Sequence, residues 1–120
     1  MYRCNEVRPY FWKMDKHYSI DGLHEFTRKV FLQIGCSVEH AEQATEALLS
    51  ADIRGIDSHG IARLSGYVRL WEAKRIEAKP DIKIVHETPS TATVDGGKGL
   101  GLVVAPVAMQ IAIRNSLLCG

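Results

Sequence analysis

Cysteine is scarce and unpatterned: Cys4, Cys36 and Cys119 make three, an odd number, and no Cys-x-x-Cys pair occurs. That excludes a disulfide scaffold and a zinc ribbon, and it reads as the reduced thiols of a cytosolic protein. An excess of one charge sign is also missing. Lys and Arg number 15 and Asp and Glu 14, a net charge of +1, which disfavours a basic nucleic-acid binder and an acidic disordered tail. No uninterrupted apolar run reaches the ~18 residues of a membrane span. The longest, Leu100 to Met109, holds Pro106, so no membrane partner is expected. Residues 1–16 lack the order of a secretory signal. Arg3, Arg8, Lys13 and Lys16 leave a mitochondrial presequence open, but the segment is poor in serine and contains Pro9. Metal-ligand spacing is absent too. His17, Asp21 and His24 share a face only if a helix begins early, and there is no His-Glu-x-x-His, so no metal is expected.

What remains is ordinary globular composition, 120 residues with 46% hydrophobic and 24% charged, enough for one domain. The aromatic segment Tyr2, Tyr10, Phe11, Trp12 shows no period, and residues 1–18 read as an irregular arm. Residues 19–79 read as helical and 80–120 as strands plus a helix. The first helix is predicted from about Asp21 to Ile34, with Leu23, Phe26, Val30 and Ile34 inward, capped by Ser19 or Asp21 and stopped by Gly35. The second is predicted over Val38 to Ile53 behind Ser37, with Ala41, Ala44, Leu48 and Ala51 inward, ending at Gly55. A third opens near Ser58 and continues to about Arg75 on an Ile61, Leu64, Val68, Trp71 stripe, before Pro80. Ile82–His86 and Thr91–Asp95 are β-branched and flank Thr88-Pro89-Ser90, a hairpin pattern. Leu102 to Ile113 is apolar on every side, and such a helix must be covered all round. Three helices and two strands are thin cover. A truncated α+β piece is therefore expected, with a buried last helix whose cover follows Gly120 or comes from a partner chain.

The densest chemistry lies in Arg54-Gly-Ile-Asp-Ser-His-Gly-Ile-Ala-Arg63. On a continuous helix His59, Arg63 and Tyr67 fall at i, i+4 and i+8 and line one side. His59 would then sit in the first turn, where the positive end of the helix dipole disfavours imidazolium. Arg63 offers a two-pronged grip on a carboxylate, and His59 a proton for the neighbouring oxygen of a 2-oxo acid. The plainer alternative is that Asp57 or Ser58 caps the helix and His59 decorates its start. Ser58 and His59 do not read as a hydrolase pair. Adjacent side chains on a helix diverge by about 100°, and a Gly-x-Ser-x-Gly elbow is absent. The stretch Gly96-Gly97-Lys98-Gly99-Leu100-Gly101 fails both phosphate fingerprints, since Leu102 stands where a dinucleotide turn needs Gly or Ala, and Lys98 is followed by Gly99. It reads as a sharp strand-to-helix turn, with anion binding at the helix start the lesser alternative.

The segment Arg54 to Arg63, continuing to Tyr67, resembles the signature of the malate/L-lactate dehydrogenase family that lacks a Rossmann fold. That family includes ureidoglycolate, sulfolactate and diketogulonate dehydrogenases or reductases and the piperideine-carboxylate reductases. Ser37-Val-Glu-His-Ala-Glu-Gln-Ala and Asp95-Gly-Gly-Lys-Gly-Leu-Gly-Leu-Val-Val-Ala-Pro-Val-Ala-Met109 are similar to its second helix and glycine turn. The likeness runs from about Ser19 to Arg114. It implies hydride transfer between NAD or NADP and a 2-oxo or 2-hydroxy acid of malate or lactate type. His59 passes the proton with Ser58 assisting, and Arg63, with Tyr67, meets the substrate. It implies a homodimer in which most cofactor contacts lie beyond residue 120. The tail Asn115–Gly120 does not read as the family's continuation, so a fragment without activity of its own is expected. Two other readings compete. One is an interaction fragment that pairs with a full-length subunit. The other is a helix-turn-helix nucleic-acid module, disfavoured because the Ile53-to-Ser58 link is longer than a tight turn.

Overall fold

The computed structural model describes residues 17–119. The expected irregular arm lies outside the described residues as far as Lys16, and residues 17–19 enter without regular structure. Helix α1 spans Ile20–Gln33 and α2 spans Val38–Ile53. Both starts are capped as the sequence predicts. Ser19 Oγ accepts the Gly22 N–H at 3.1 Å and Ser37 Oγ accepts the His40 N–H at 3.2 Å, which satisfies donors the first helical turn leaves orphaned. Both ends turn through a left-handed glycine, Gly35 at φ 100° and Gly55 at φ 72°.

The two helices pack as an antiparallel pair around Phe31, Ile34, Ala41, Ala44 and Leu48, with Thr27 and Thr45 fully buried beside them. The small residues of α2 let the axes approach, as expected. The buried face of α1 is rotated by about one residue from the predicted one. Thr27 and Phe31 face inward, whereas Phe26 is 56% exposed. The reason is geometric: α1 carries apolar residues over a wide arc, and α2 claims only part of it. Leu23 and Phe26 instead line an open groove of about 480 Å³ with Tyr18 and Ile61. An ion-paired cluster closes the outer seam, Glu42 accepting from Arg28 Nε at 2.8 Å and meeting His24 Nε2 at 2.9 Å. His24 therefore serves a helix–helix contact.

The predicted third helix is shorter than expected. Two three-residue 3₁₀ turns, Asp57–His59 and Ile61–Arg63, precede helix α3 at Leu64–Glu72. Lys74 at φ 55° ends it short of Arg75. Strands β1, Lys83–Glu87, and β2, Ala92–Asp95, pair antiparallel, with a bulge between Ile84 and His86. Helix α4 follows at Gly101–Cys119.

The glycine turn proves to be a packing junction. Gly97 sits at φ 55°, and a Cβ there would lie 2.7 Å from the Asp81 carbonyl oxygen. A Cβ on Gly99 would meet Pro80 at 2.7 Å. The Gly97 N–H donates to Asp95 Oδ1 at 2.9 Å, and the Glu77 N–H donates to the Lys98 carbonyl at 2.9 Å. The loop thus knits the chain after α3 to the start of α4.

Helix α4 lies where the sequence places it, but the described residues do not cover it. Val103 and Asn115 are its buried residues, while Met109 is 61% and Leu117 79% exposed. It also exceeds the apolar run seen in the sequence. By continuing through Gln110, Arg114 and Asn115, Gly101–Leu118 becomes long and apolar enough to cross a membrane by length and composition. Arg114 forms an ion pair with Glu87 of β1 and donates to Asn115 Oδ1. We therefore expect the isolated chain to self-associate, because bare apolar surface of this kind drives association. Size-exclusion chromatography should show oligomers that bind a hydrophobic dye. A monomer with a sharp melt and no dye binding would contradict this.

Candidate active site

The motif residues occupy the link between α2 and α3, residues 54–63. α2 stops because Gly55 adopts its left-handed conformation, with the Gly55 N–H donating to Asp52 O at 2.9 Å and the Ile56 N–H to Ala51 O at 2.9 Å. The chain then turns twice. The His59 N–H closes the first 3₁₀ turn on Ile56 O at 2.9 Å, and the Arg63 N–H closes the second on Gly60 O at 2.9 Å. Gly60 between them is extended, at φ −87° and ψ −147°.

This break corrects the helical placement. His59 lies ahead of α3 and outside its first turn, so the helix dipole has no bearing on it. His59, Arg63 and Tyr67 do not line one side of a helix. Ser58 and His59 do not diverge either: Ser58 Oγ and His59 Nδ1 are hydrogen-bonded at 2.9 Å. The short 3₁₀ turn lets neighbouring side chains meet. Arg63 Nε donates to the Ser58 carbonyl at 2.7 Å, folding the guanidinium back over the first turn. All three residues are exposed. Among the described residues, His59 Nε2 and both Arg63 Nη atoms make no hydrogen bond, so these atoms are presented outward.

Tyr67 is the predicted site residue that does not join them. It is half-buried on α3, and its ring lies 6.5 Å from that of Phe31, tilted by 50°. It takes a place in the core beside Ile61, Leu64 and Val68, and no hydrogen bond among the described residues ties it to His59 or Arg63.

The sequence reading missed Asp52. Its Oδ2 accepts the Ile61 N–H at 2.8 Å, and its carboxylate fills the space where a Cβ on Gly60 would project. One signal was available. A carboxylate in the last turn of a helix opposes the dipole there, and α2 has no basic residue in that turn. Away from the motif, Lys29 lowers the Glu25 carboxyl, Asp81 raises the Lys83 ammonium, and burial raises the Cys36 thiol.

A hydrogen-bonded Ser–His pair beside a fastened arginine suits proton exchange next to a carboxylate. The family model described as malate/L-lactate dehydrogenase matches residues 18–120. The chain belongs to the malate/L-lactate dehydrogenase family. The match includes the tail Asn115–Gly120, which the sequence reading set apart. L-Sulfolactate dehydrogenase from Methanocaldococcus jannaschii is 41% identical over 87 residues, 72% of this chain and 25% of that protein. Malate dehydrogenase from Pyrococcus abyssi is 41% identical over 96 residues, 80% of this chain and 26% of that protein. The solved sulfolactate dehydrogenase structure from M. jannaschii superposes with a TM-score of 0.82 at 36% identity, covering 85% of this chain and 30% of that one. The chain thus spans about a quarter of the length of the curated relatives it matches.

Proposed function

We propose that residues 58–63 are the proton-transfer and carboxylate-binding part of a dehydrogenase that interconverts 2-hydroxy and 2-oxo acids of malate or lactate type. NAD or NADP is its redox partner, and it works as a cytoplasmic homodimer. The observation that carries this reading is the Ser58–His59 hydrogen bond with Arg63 fastened to the same turn. The names of the relatives agree, since malate and sulfolactate are both 2-hydroxy acids.

The chemistry follows from the free atoms. With Nε tied to Ser58, Arg63 presents its two Nη groups side by side, a match for the two oxygens of a carboxylate. With Nδ1 tied to Ser58, His59 has Nε2 left for the substrate's hydroxyl or carbonyl oxygen. The Ser58 hydroxyl accepts from Nδ1–H or donates to bare Nδ1, so it supports either protonation state of the ring. His59 thereby gives a proton to the oxygen on reduction and takes it back on oxidation.

The described residues do not fit a dinucleotide. The glycine-rich turn spends its Gly97 and Gly99 N–H groups internally, on Asp95 Oδ1 and Gly96 O, and the Asp81 backbone fills the space beside Gly97. The chain alone is therefore expected to oxidise no NADH or NADPH with any 2-oxo acid. A second reading, an interaction fragment pairing with a full-length subunit, is supported by the uncovered face of α4. Co-purification with a full-length family enzyme tests it.

The catalytic reading is tested in a chimera, a full-length family enzyme whose matching segment is replaced by residues 18–120. Arg63→Lys keeps the charge and loses the planar fork. We expect KM for the acid to rise and kcat to fall, each by roughly tenfold or more, because a misplaced substrate also degrades the transition state. Affinity for the nucleotide should be unchanged. Wild-type kinetics for Arg63→Lys would remove Arg63 from the substrate site.

A further inference from the structure

The structure assigns Asp52 as the positioning residue of the site. Asp52 touches neither of the atoms proposed to meet substrate. It stands in the last turn of α2, where a negative charge is disfavoured by the helix's own carbonyls; that turn holds no basic residue, and Arg54 at the C-cap turns Nη1 back to Ser50 Oγ at 3.3 Å. An unfavourable charge kept in place points to a task elsewhere. The task is visible in its contacts. Asp52 Oδ2 accepts the Ile61 N–H at 2.8 Å across nine residues, and its carboxylate packs on Gly60. Gly60 is buried, whereas His59 before it and Arg63 just after are exposed.

The consequence is mechanical. The two 3₁₀ turns bearing His59 and Arg63 are three residues each, too short to hold themselves. Gly60 is the joint between them, and nothing within it fixes the angle. The Asp52 carboxylate clamps the joint and the turn after it, through contact with Gly60 and through the Ile61 N–H. That sets the direction of His59 relative to Arg63, and hence the alignment of proton donor and carboxylate grip. Glycine is demanded at 60 because the clamp occupies the side-chain space.

This inference rests on the proposed function for its catalytic consequence but not for its structural one, and the experiment has an arm for each. The first arm follows the Ile61 amide by hydrogen exchange, and the His59 ring by nitrogen NMR shifts, in this chain. Asp52→Ala removes a charged acceptor, so Ile61 exchange should speed up by about 10- to 100-fold and the His59 ring signals should move. Asp52→Asn keeps an acceptor oxygen and should restore both to near wild type. An Ile61 amide that is unprotected in the wild type, or unaffected by Asp52→Ala, overturns the assignment. If Asp52→Ala unfolds the chain, Asp52→Asn decides: retained Ile61 protection supports the clamp, and lost protection in a folded variant overturns it. The second arm measures the chimera. Asp52→Ala should lower kcat by about 10²-fold and raise KM for the acid, with nucleotide affinity unchanged and Asp52→Asn restoring turnover. Full kcat in a folded Asp52→Ala chimera, where the parent turns over, overturns the positioning role. If the parent shows no His59-dependent turnover, the proposed function fails and the first arm alone decides the clamp.

Discussion

Replacing His59 with alanine in the chimera should lower kcat by roughly 10²–10⁴-fold, the usual contribution of a positioned acid–base group. The loss should be confined to the chemical step. His59 is exposed and not part of the core, so the melting temperature should move little. Its ring binds Ser58 and nothing else among the described residues, so affinity for the nucleotide should hold. Ser58→Ala should cost less, about tenfold or under, because it removes one neutral hydrogen bond to Nδ1 and leaves Nε2 in place. The plainer alternative forecasts otherwise. If His59 merely decorated a turn, its loss would leave kcat near normal and change stability by a fraction of a kcal/mol. Steady-state kinetics beside a melting curve separate the two. A folded His59→Ala enzyme with near-wild-type kcat would take His59 out of the mechanism.

Gly60→Ala should damage both stability and turnover. The added Cβ falls onto the Asp52 carboxylate, which sits at the end of a packed helix and is tied to Ile61. Either the carboxylate moves and the Ile61 N–H loses its acceptor, or the turn moves and carries His59 and Arg63 with it. Crowding of this kind costs about 1–3 kcal/mol, and a misaligned pair should lose about 10²-fold in kcat. Gly66→Ala is the matched control. Gly66 lies inside α3, and a Cβ there meets nothing within 4 Å. That change should be neutral or stabilise by up to ~1 kcal/mol, the helix-propensity gain. Denaturant melts and kinetics of the two variants check the contrast. Equal behaviour of the pair would remove the steric basis of the joint.

The same junction shows why only part of the site is legible in the sequence. Ser58, His59 and Arg63 stand out because their side chains suit one reaction and lie within six residues. Their arrangement does not follow from periodicity, which treats Ser58 to Arg75 as one helix. Nothing local says that Gly60 breaks it. The break is stabilised by Asp52, a contact nine residues away.

Elements with local causes are legible in the amino-acid sequence. The caps Ser19 and Ser37, the left-handed glycines Gly35 and Gly55, and the span Val38–Ile53 were all readable, since each depends on residues within a turn or two. So were the hairpin and the glycine stretch as a strand-to-helix turn. Tertiary structure decided which faces those elements bury. Thr27 and Phe31, and not Phe26, turn inward on α1 because α2 packs against one part of a wide apolar arc. Tyr67 joins Phe31 in the core because α3 starts at Leu64 and its phase is reset there. The Ser58–His59 bond exists because the chain is turned at Gly60 and not helical through it. Local rules specify where an element begins and ends. Only the neighbours that compete for its surface specify which way its side chains point.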